Sequence, residues 1–166
     1  MRRLLLPFLL CALVAACGPK APSPAAAKAD AEAKSYIAKV AKEPGVVVLP
    51  SGLAYKVITS GPADGLHPQK GDEIKVEYTG SLVNGDVFDS TDKRGVPAVM
   101  PLLDLVPGWM EALPKMRPGD EWVLYVPPNL GYGEAGAGGV IPPNSVLVFK
   151  LKLIGVLPAP GRTAHA

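Results

Sequence analysis

The chain has two cysteines, two histidines and aromatics at only 6% of its 166 residues. Each shortage excludes something. Cys11 and Cys17 both fall within the first 17 residues, so no disulfide framework can staple the rest of the chain. His67 lies in a turn-rich stretch before Pro68, and His165 lies in the C-terminal tail. A Ser-His-Asp arrangement therefore has no histidine to draw on near its candidate acids. No cluster of His, Cys or carboxylates has metal-ligand spacing, and nothing in the chain implies a metal or an organic cofactor. Charge is balanced as well. Lys and Arg number 17 against 15 Asp and Glu, with no basic run, so nucleic-acid binding has no electrostatic support. By contrast, 18 glycines and 19 prolines argue for many turns and against a helical bundle. An apolar content of 48% is enough for a real core.

The first residues read as an export signal. Arg2 and Arg3 supply a positive start, and Leu4 to Ala16 is an apolar run interrupted by Pro7. The run is shorter than the ~20 residues a spanning helix needs. It ends in Leu13-Val14-Ala15-Ala16-Cys17, small residues directly before a cysteine. This resembles the bacterial lipobox. The resemblance implies that residues 1–16 are removed and that Cys17 is lipidated, anchoring the chain to the cell envelope. Gly18, where an Asp would retain the protein at the inner membrane, implies the outer membrane, facing the periplasm. Two of the seventeen basic residues leave with the signal, so fifteen remain against fifteen acidic ones.

Residues 17–24 form a Gly/Pro/Ser/Ala/Lys tether. Ser23 suits a helix cap and Pro24 the first helical position. The spacing predicts a helix through Lys42, within an N-terminal unit 25–44 that Glu43-Pro44-Gly45 stops. Ala29, Ala33, Tyr36, Ile37 and Val40 share one face. The stripe is thin, so the helix packs on the domain, pairs with a second copy as a dimer, or stays a solvated spacer.

From Gly45 the pattern turns to strands, predicted over 46–49, 53–59, 72–82, 121–127 and 145–154. Ile74, Val76 and Tyr78 alternate with Lys75 and Glu77. Leu147, Phe149, Leu151 and Leu153 alternate with Lys150 and Lys152, which gives that strand a wet side. Asn84-Gly85 is a hairpin turn. One short helix fits at 108–113. The expected fold is α+β: an antiparallel β-sheet wrapped around one short α-helix over residues 45–158, preceded by the N-terminal helix. Residues 159–166 read as a tail without structure.

The most informative stretch is Val76 to Ser90. It places Asp89 directly after Phe88 and one hairpin away from Tyr78. An isolated acid among aromatics lacks the base, nucleophile or metal that hydrolysis uses. It suits a pocket that binds something apolar and offers one polar contact. A glycosidase pair with Asp86 is the weaker reading, since Asp86 follows Asn84-Gly85 as a hairpin residue. Asp64 and Asp72 also read as turn residues. Gly131-Tyr132-Gly133-Glu134-Ala135-Gly136 matches G-x-G-x-x-G, but Pro127-Pro128 precedes it and Pro142-Pro143 comes after. No helix can open there to take a pyrophosphate, so the run reads as a loop over a pocket. Tyr78, Phe88, Trp109, Tyr132 and Phe149 bracket the loops that such a sheet brings to one end. Buried tyrosine hydroxyls need partners, and Asp89 is a natural acceptor.

Tyr78-Thr79-Gly80, Phe88-Asp89-Ser90, Val106-Pro107-Gly108-Trp109, Tyr132-Gly133 and Val140-Ile141-Pro142-Pro143, in this order, resemble the FKBP-type peptidyl-prolyl cis-trans isomerases. Leu49 to Val57 resembles the start of the domain in the secreted bacterial branch, the macrophage infectivity potentiator group. The resemblance covers residues 46–157. It implies a rotamase that assists folding of envelope proteins, with proline-containing polypeptides as substrates. It also implies macrolides such as tacrolimus or rapamycin as ligands. Position by position it implies Trp109 as the floor of the pocket and Tyr78, Phe88 and Phe149 as walls. Val106 joins the lining, while the Tyr132 hydroxyl and the Ile141 N–H would face substrate carbonyls. Asp89 would orient Tyr78 without acting as a proton-transfer base. Ala98, where many members carry an aromatic, and Ala137 at the loop tip depart from the pattern and open one wall. A weakly catalytic tethered chaperone using the same pocket is the alternative.

Overall fold

The computed structural model describes residues 23–162. A first helix, α1, spans Pro24–Val40, two residues short of the expected Lys42. Ser23 caps it, its Oγ accepting the Ala26 N–H at 3.2 Å, and Pro24 occupies the first turn where no N–H is needed. Lys28–Glu32 and Asp30–Lys34 pair at i,i+4 on its wet side. Of its stripe, Ala33 and Val40 are fully buried.

Seven strands come after it: β1 (Val46–Val48), β2 (Ala54–Thr59), β3 (Glu73–Leu82), β4 (Val87–Ser90), β5 (Ala98–Pro101), β6 (Glu121–Val126) and β7 (Leu147–Leu157). A four-residue turn of helix, α2 (Thr91–Arg94), separates β4 from β5, and α3 (Pro107–Ala112) precedes β6. All pairings are antiparallel, in the order β1-β2-β6-β7-β3-β4. β4 and β5 share one edge of β3. β4 pairs Thr79 to Ser81 and β5 pairs Glu73 to Val76. Sequence alone did not indicate β5, because Pro97 precedes it, Pro101 is its last residue, and proline demotes a strand reading. As an edge strand it tolerates both.

The alternation of β7 is borne out in space. Leu147, Phe149, Leu151 and Leu153 are buried and Lys150 and Lys152 exposed. Their inward face packs on Trp109, Ala112 and Leu113 and on Leu124 and Val126 of β6, in one continuous core. Gly108 sets how closely α3 approaches the sheet. A Cβ there would stand 2.8 Å from Val126 Cγ1, so a larger residue would lift α3 and Trp109 away.

α1 covers part of the sheet's outer side. Tyr36 meets Tyr125 of β6 with ring centroids 6.4 Å apart. At the other end of the helix, Asn144 Nδ2 donates to the Ala26 carbonyl at 3.2 Å. The stretch 159–162 is held rather than loose. Ala159 N–H donates to Asp72 Oδ1 at 3.0 Å, and Arg162 Nη2 lies 3.0 Å from Asp72 Oδ2. Asp72 closes the turn expected from sequence, its N–H donating to the Gln69 carbonyl at 3.0 Å, and its side chain is a buried anchor as well. The export signal, Cys17 and most of the tether lie outside the described residues.

Candidate active site

A cavity of about 310 Å³ opens where the ends of β3, β4 and β5 meet the start of α3. Tyr78, Phe88, Met100, Leu105, Val106, Trp109, Tyr132 and Phe149 line it, with Asp89 and Asp104 at its polar side. Trp109, buried on α3, forms the floor. It meets Tyr78 edge-on at 4.9 Å and Phe149 at 5.3 Å, and Phe88 meets Phe149 edge-on at 5.7 Å. These tilted contacts are the preferred geometry for aromatic quadrupoles and hold the bowl rigid. The bowl closes only because residue 80 is glycine. A Cβ there would stand 2.7 Å from the Phe88 ring and 2.8 Å from Phe149. The β3–β7 register sets Gly80 opposite Phe149, and the β3–β4 register sets it opposite Asp89.

The polar side of the bowl is a three-residue network. Tyr78 Oη donates to Asp89 Oδ2 at 2.5 Å. Arg94 Nη1 donates to Asp89 Oδ1 at 2.7 Å, and Nη2 donates to Tyr78 Oη at 2.9 Å. The guanidinium also lies 5.4 Å from the Tyr78 ring centre, within cation–π range. Asp89 is therefore not the isolated acid that the sequence suggested. Short-range features place Arg94. Ser90 caps α2 through Asp92 N–H, and Gly95 ends it in the left-handed region at φ 71°. The Tyr78 N–H donates to Thr91 Oγ1 at 2.9 Å, and that hydroxyl donates back to the Tyr78 carbonyl at 3.2 Å. α2 is thus locked onto β3, with Arg94 turned over Tyr78. In the sequence, Thr91-Asp92-Lys93-Arg94-Gly95 looks like a solvated charged loop. The signal that could have found Arg94 is the Ser cap and the Gly stop, one helical turn apart.

Opposing effects set the titration of the network. Burial works to raise the Asp89 carboxyl, but the Tyr78 hydrogen bond, the Arg94 charge and the Ser90 N–H together hold it below its ordinary value. Burial and then the bond to Asp89 push the Tyr78 phenol up, and Arg94 opposes them only in part. Asp89 is accordingly an anion acceptor and Tyr78 a neutral donor.

Tyr132 stands at the rim, 40% exposed. Its loop contains two 3₁₀ turns, Pro128–Leu130 and Gly133–Ala135, and a bridge between Ala137 and Ile141. No α-helix opens after the G-x-G-x-x-G run, so it forms no pyrophosphate cradle. Ile141 differs from the role expected for it. It is 5% exposed, lies outside the cavity lining, and its N–H donates to the Ala137 carbonyl at 3.0 Å. That donor is already used within the loop. Ala98 pairs with Val76 on β5, and the residue that lines the cavity from that strand is Met100. Among the described residues no group of three or more His, Cys, Asp or Glu is gathered as for a metal.

A larger groove of about 590 Å³ lies elsewhere, between α1, the end of β3 and the 142–146 loop. It holds none of the aromatic network that lines the smaller bowl.

Comparisons with known proteins agree with this geometry. Residues 65–154 match the model of the FKBP-type peptidyl-prolyl cis-trans isomerases. Residues 18–57 match the model of the domain amino-terminal to such isomerases. Over 125 residues the chain is 49% identical to the peptidyl-prolyl cis-trans isomerase Mip of Coxiella burnetii, covering 75% of this chain and 54% of that protein. It is 47% identical to the outer membrane protein MIP of Legionella longbeachae over 126 residues, covering 76% and 53%. The chain thus spans about half the length of these relatives. Among solved structures, FkpA of Escherichia coli superposes with TM-score 0.77 at 42% identity, over 82% of this chain and 62% of that one. A peptidyl-prolyl cis-trans isomerase of Pseudomonas syringae superposes with TM-score 0.73 at 34% identity, over 85% of this chain and all of that one. With this fold, this aromatic bowl and these matches, the chain belongs to the FKBP-type peptidyl-prolyl cis-trans isomerase family.

Proposed function

We propose that this chain catalyses cis–trans rotation about X–Pro bonds of polypeptides in the cell envelope. The observation that carries the reading is the pairing of an apolar aromatic bowl with a polar edge that has hydrogen-bond capacity and no nucleophile. Rotation of an amide crosses a barrier of about 18–20 kcal/mol because the twisted state loses resonance. Uncatalysed, an X–Pro bond takes tens to hundreds of seconds. An acceleration of about 10⁶-fold needs about 8 kcal/mol of differential stabilisation and no covalent step.

Trp109 forms the floor under the proline ring, with Phe88, Phe149 and Tyr78 around it. Water favours the planar, charge-separated amide, so moving the bond into the bowl disfavours the ground state relative to the twisted one. Tyr132 at the rim donates its hydroxyl to a substrate carbonyl. Asp89, fixed by Tyr78 and Arg94, gives the bowl a fixed negative edge without exchanging a proton. Macrolides such as tacrolimus or rapamycin fill the same bowl.

The lipobox-like Leu13 to Cys17 supports a lipid anchor at Cys17, and the Legionella relative named as an outer membrane protein supports an envelope location. The tether then presents the bowl to exported chains in the periplasm. The thin stripe of α1, with Tyr36 and Ile37 half-buried, leaves an apolar face on which two copies can pair.

NMR exchange spectroscopy on an Ala-Pro or Leu-Pro peptide tests the activity. Cis–trans exchange is expected to accelerate at substoichiometric protein. No acceleration for any residue before proline overturns the isomerase reading, and binding without acceleration leaves the tethered chaperone.

A further inference from the structure

Asn144 sits where two parts of the molecule meet, and it uses different atoms for each. Its backbone N–H donates to the Gly133 carbonyl at 2.8 Å, fastening the base of the loop that carries Tyr132. Its side-chain Nδ2 donates to the Ala26 carbonyl in the first turn of α1 at 3.2 Å. The residue is 8% exposed and holds φ at 55°, a left-handed conformation that Asn tolerates better than most residues. Tolerance of that turn explains an Asn or a Gly. It does not explain a buried amide spent on a helix carbonyl whose intrahelical bond leaves one lone pair over.

The seating of α1 makes this bond matter. Alongside the helix runs the 590 Å³ groove, bordered by Ala29, Ala33 and Tyr36 on one side and by Leu82, Pro143 and Val146 on the other. The helix is held at Ala33 in its middle, at Tyr36–Tyr125 and Val40 towards one end and at Ala26–Asn144 at the other. The last of these holds is the attachment point of the Tyr132 loop.

We propose that α1 is a positioning element for the active-site loop. Docked on the sheet, it fixes Asn144, which fixes Gly133 and so the rim position of Tyr132. Anything that lifts α1, whether pairing with a second copy or tension on the tether, loosens the rim and weakens capture of the X–Pro segment. Asn144 touches no substrate and acts through Tyr132. The inference rests on the isomerase reading for its kinetic test.

Two variants break the link at different places. N144G keeps the left-handed turn and loses the donor to Ala26. Y36A removes the Tyr125 contact at the far end of the helix and leaves Asn144 untouched. Each is expected to raise KM for an X–Pro peptide about threefold to fivefold, the scale of one lost hydrogen bond, with kcat within twofold. N144D, which keeps the turn but presents an acceptor to a carbonyl, moves the same way. The N144G/Y36A double variant is expected to go no further than either single, because both sever one link. A merely structural role for Asn144 would lower Tm and leave KM in place. Unchanged KM in Y36A, or fully additive effects, overturns the proposal. If the wild-type protein does not accelerate exchange at all, the isomerase reading fails by itself. The link is then read from the amide resonances of Tyr132 and Gly133 in Y36A: displaced peaks support it, and unmoved peaks overturn it.

Discussion

Arg94 reaches back over α2 to place Nη1 2.7 Å from Asp89 Oδ1 and Nη2 2.9 Å from Tyr78 Oη, so one guanidinium holds both polar members of the bowl. A planar fork is needed for this, and a lysine has none. R94A is expected to lower kcat/KM about fivefold to tenfold with little change in Tm, because the pair is half exposed and screened by solvent. R94K should recover less than half of the loss. Exchange kinetics and thermal melts on the same samples separate the two effects. An R94A protein with wild-type kcat/KM would remove Arg94 from the site.

The pH profile derives from the same network. The folded protein holds the Asp89 carboxyl below its ordinary value of about 3.9, so folding favours the carboxylate. That contribution is complete above about pH 4 and is lost as pH falls through the depressed folded value. Tyr78 is raised above about 10, so folding favours the neutral phenol, and its contribution is lost only as pH rises through the raised value. kcat/KM is therefore expected to be flat from about pH 5 to pH 9. In R94A the acid limb should move up towards the ordinary carboxylate range. A bell-shaped profile centred near neutrality would instead indicate proton transfer by a group in the site.

Much of this site is legible in the sequence, and the parts that are not share a cause. Phe88-Asp89, Trp109 and the β7 alternation announce themselves because each rests on a local pattern of period two or a turn of helix. Asn84-Gly85 marks the hairpin that brings Tyr78 to Asp89. Arg94 does not announce itself, because its role depends on Gly95 adopting φ 71° and on Thr91 bonding to Tyr78, thirteen residues away. Met100 is hidden by Pro97 before and Pro101 at the end of a four-residue edge strand. Ile141 shows the opposite limit of a sequence reading. Its sequence neighbours are distinctive, but its N–H is spent inside the loop on Ala137.

Gly80 tests the shape of the bowl. Ala at this position puts a methyl within 2.8 Å of two aromatic rings. The backbone there has no special conformation to lose, so the effect is steric. G80A is expected to destabilise the fold by about 1–3 kcal/mol, the usual range for overpacking. It should also raise the Kd of a bowl-filling macrolide at least tenfold, since Phe88 and Phe149 can yield only into the cavity or away from each other. Denaturant titration and fluorescence of Trp109 on macrolide addition check both. Unchanged macrolide affinity would mean that the rings relax outward and that the bowl is not set by this glycine.

Asp72 supplies the contrasting case, a buried acid with no part in the chemistry. Its carboxylate accepts the Gln69 N–H at 2.7 Å and the Ala159 N–H at 3.0 Å, and it pairs with Arg162, whose side chain is 20% exposed. The three contacts tie the loop before β3 to the chain after β7. D72A strands two backbone donors and a guanidinium, and about 3–5 kcal/mol of destabilisation is expected from breaking a buried pair at one partner. R162A leaves both N–H bonds in place and should cost less than half as much. Neither residue touches the bowl, so activity per folded molecule should match wild type in both. Urea titration gives the first quantity, and exchange kinetics at a temperature where each variant remains folded give the second. If D72A lost activity while fully folded, the clasp would be coupled to the active site through β3, the strand that carries Tyr78 and Gly80.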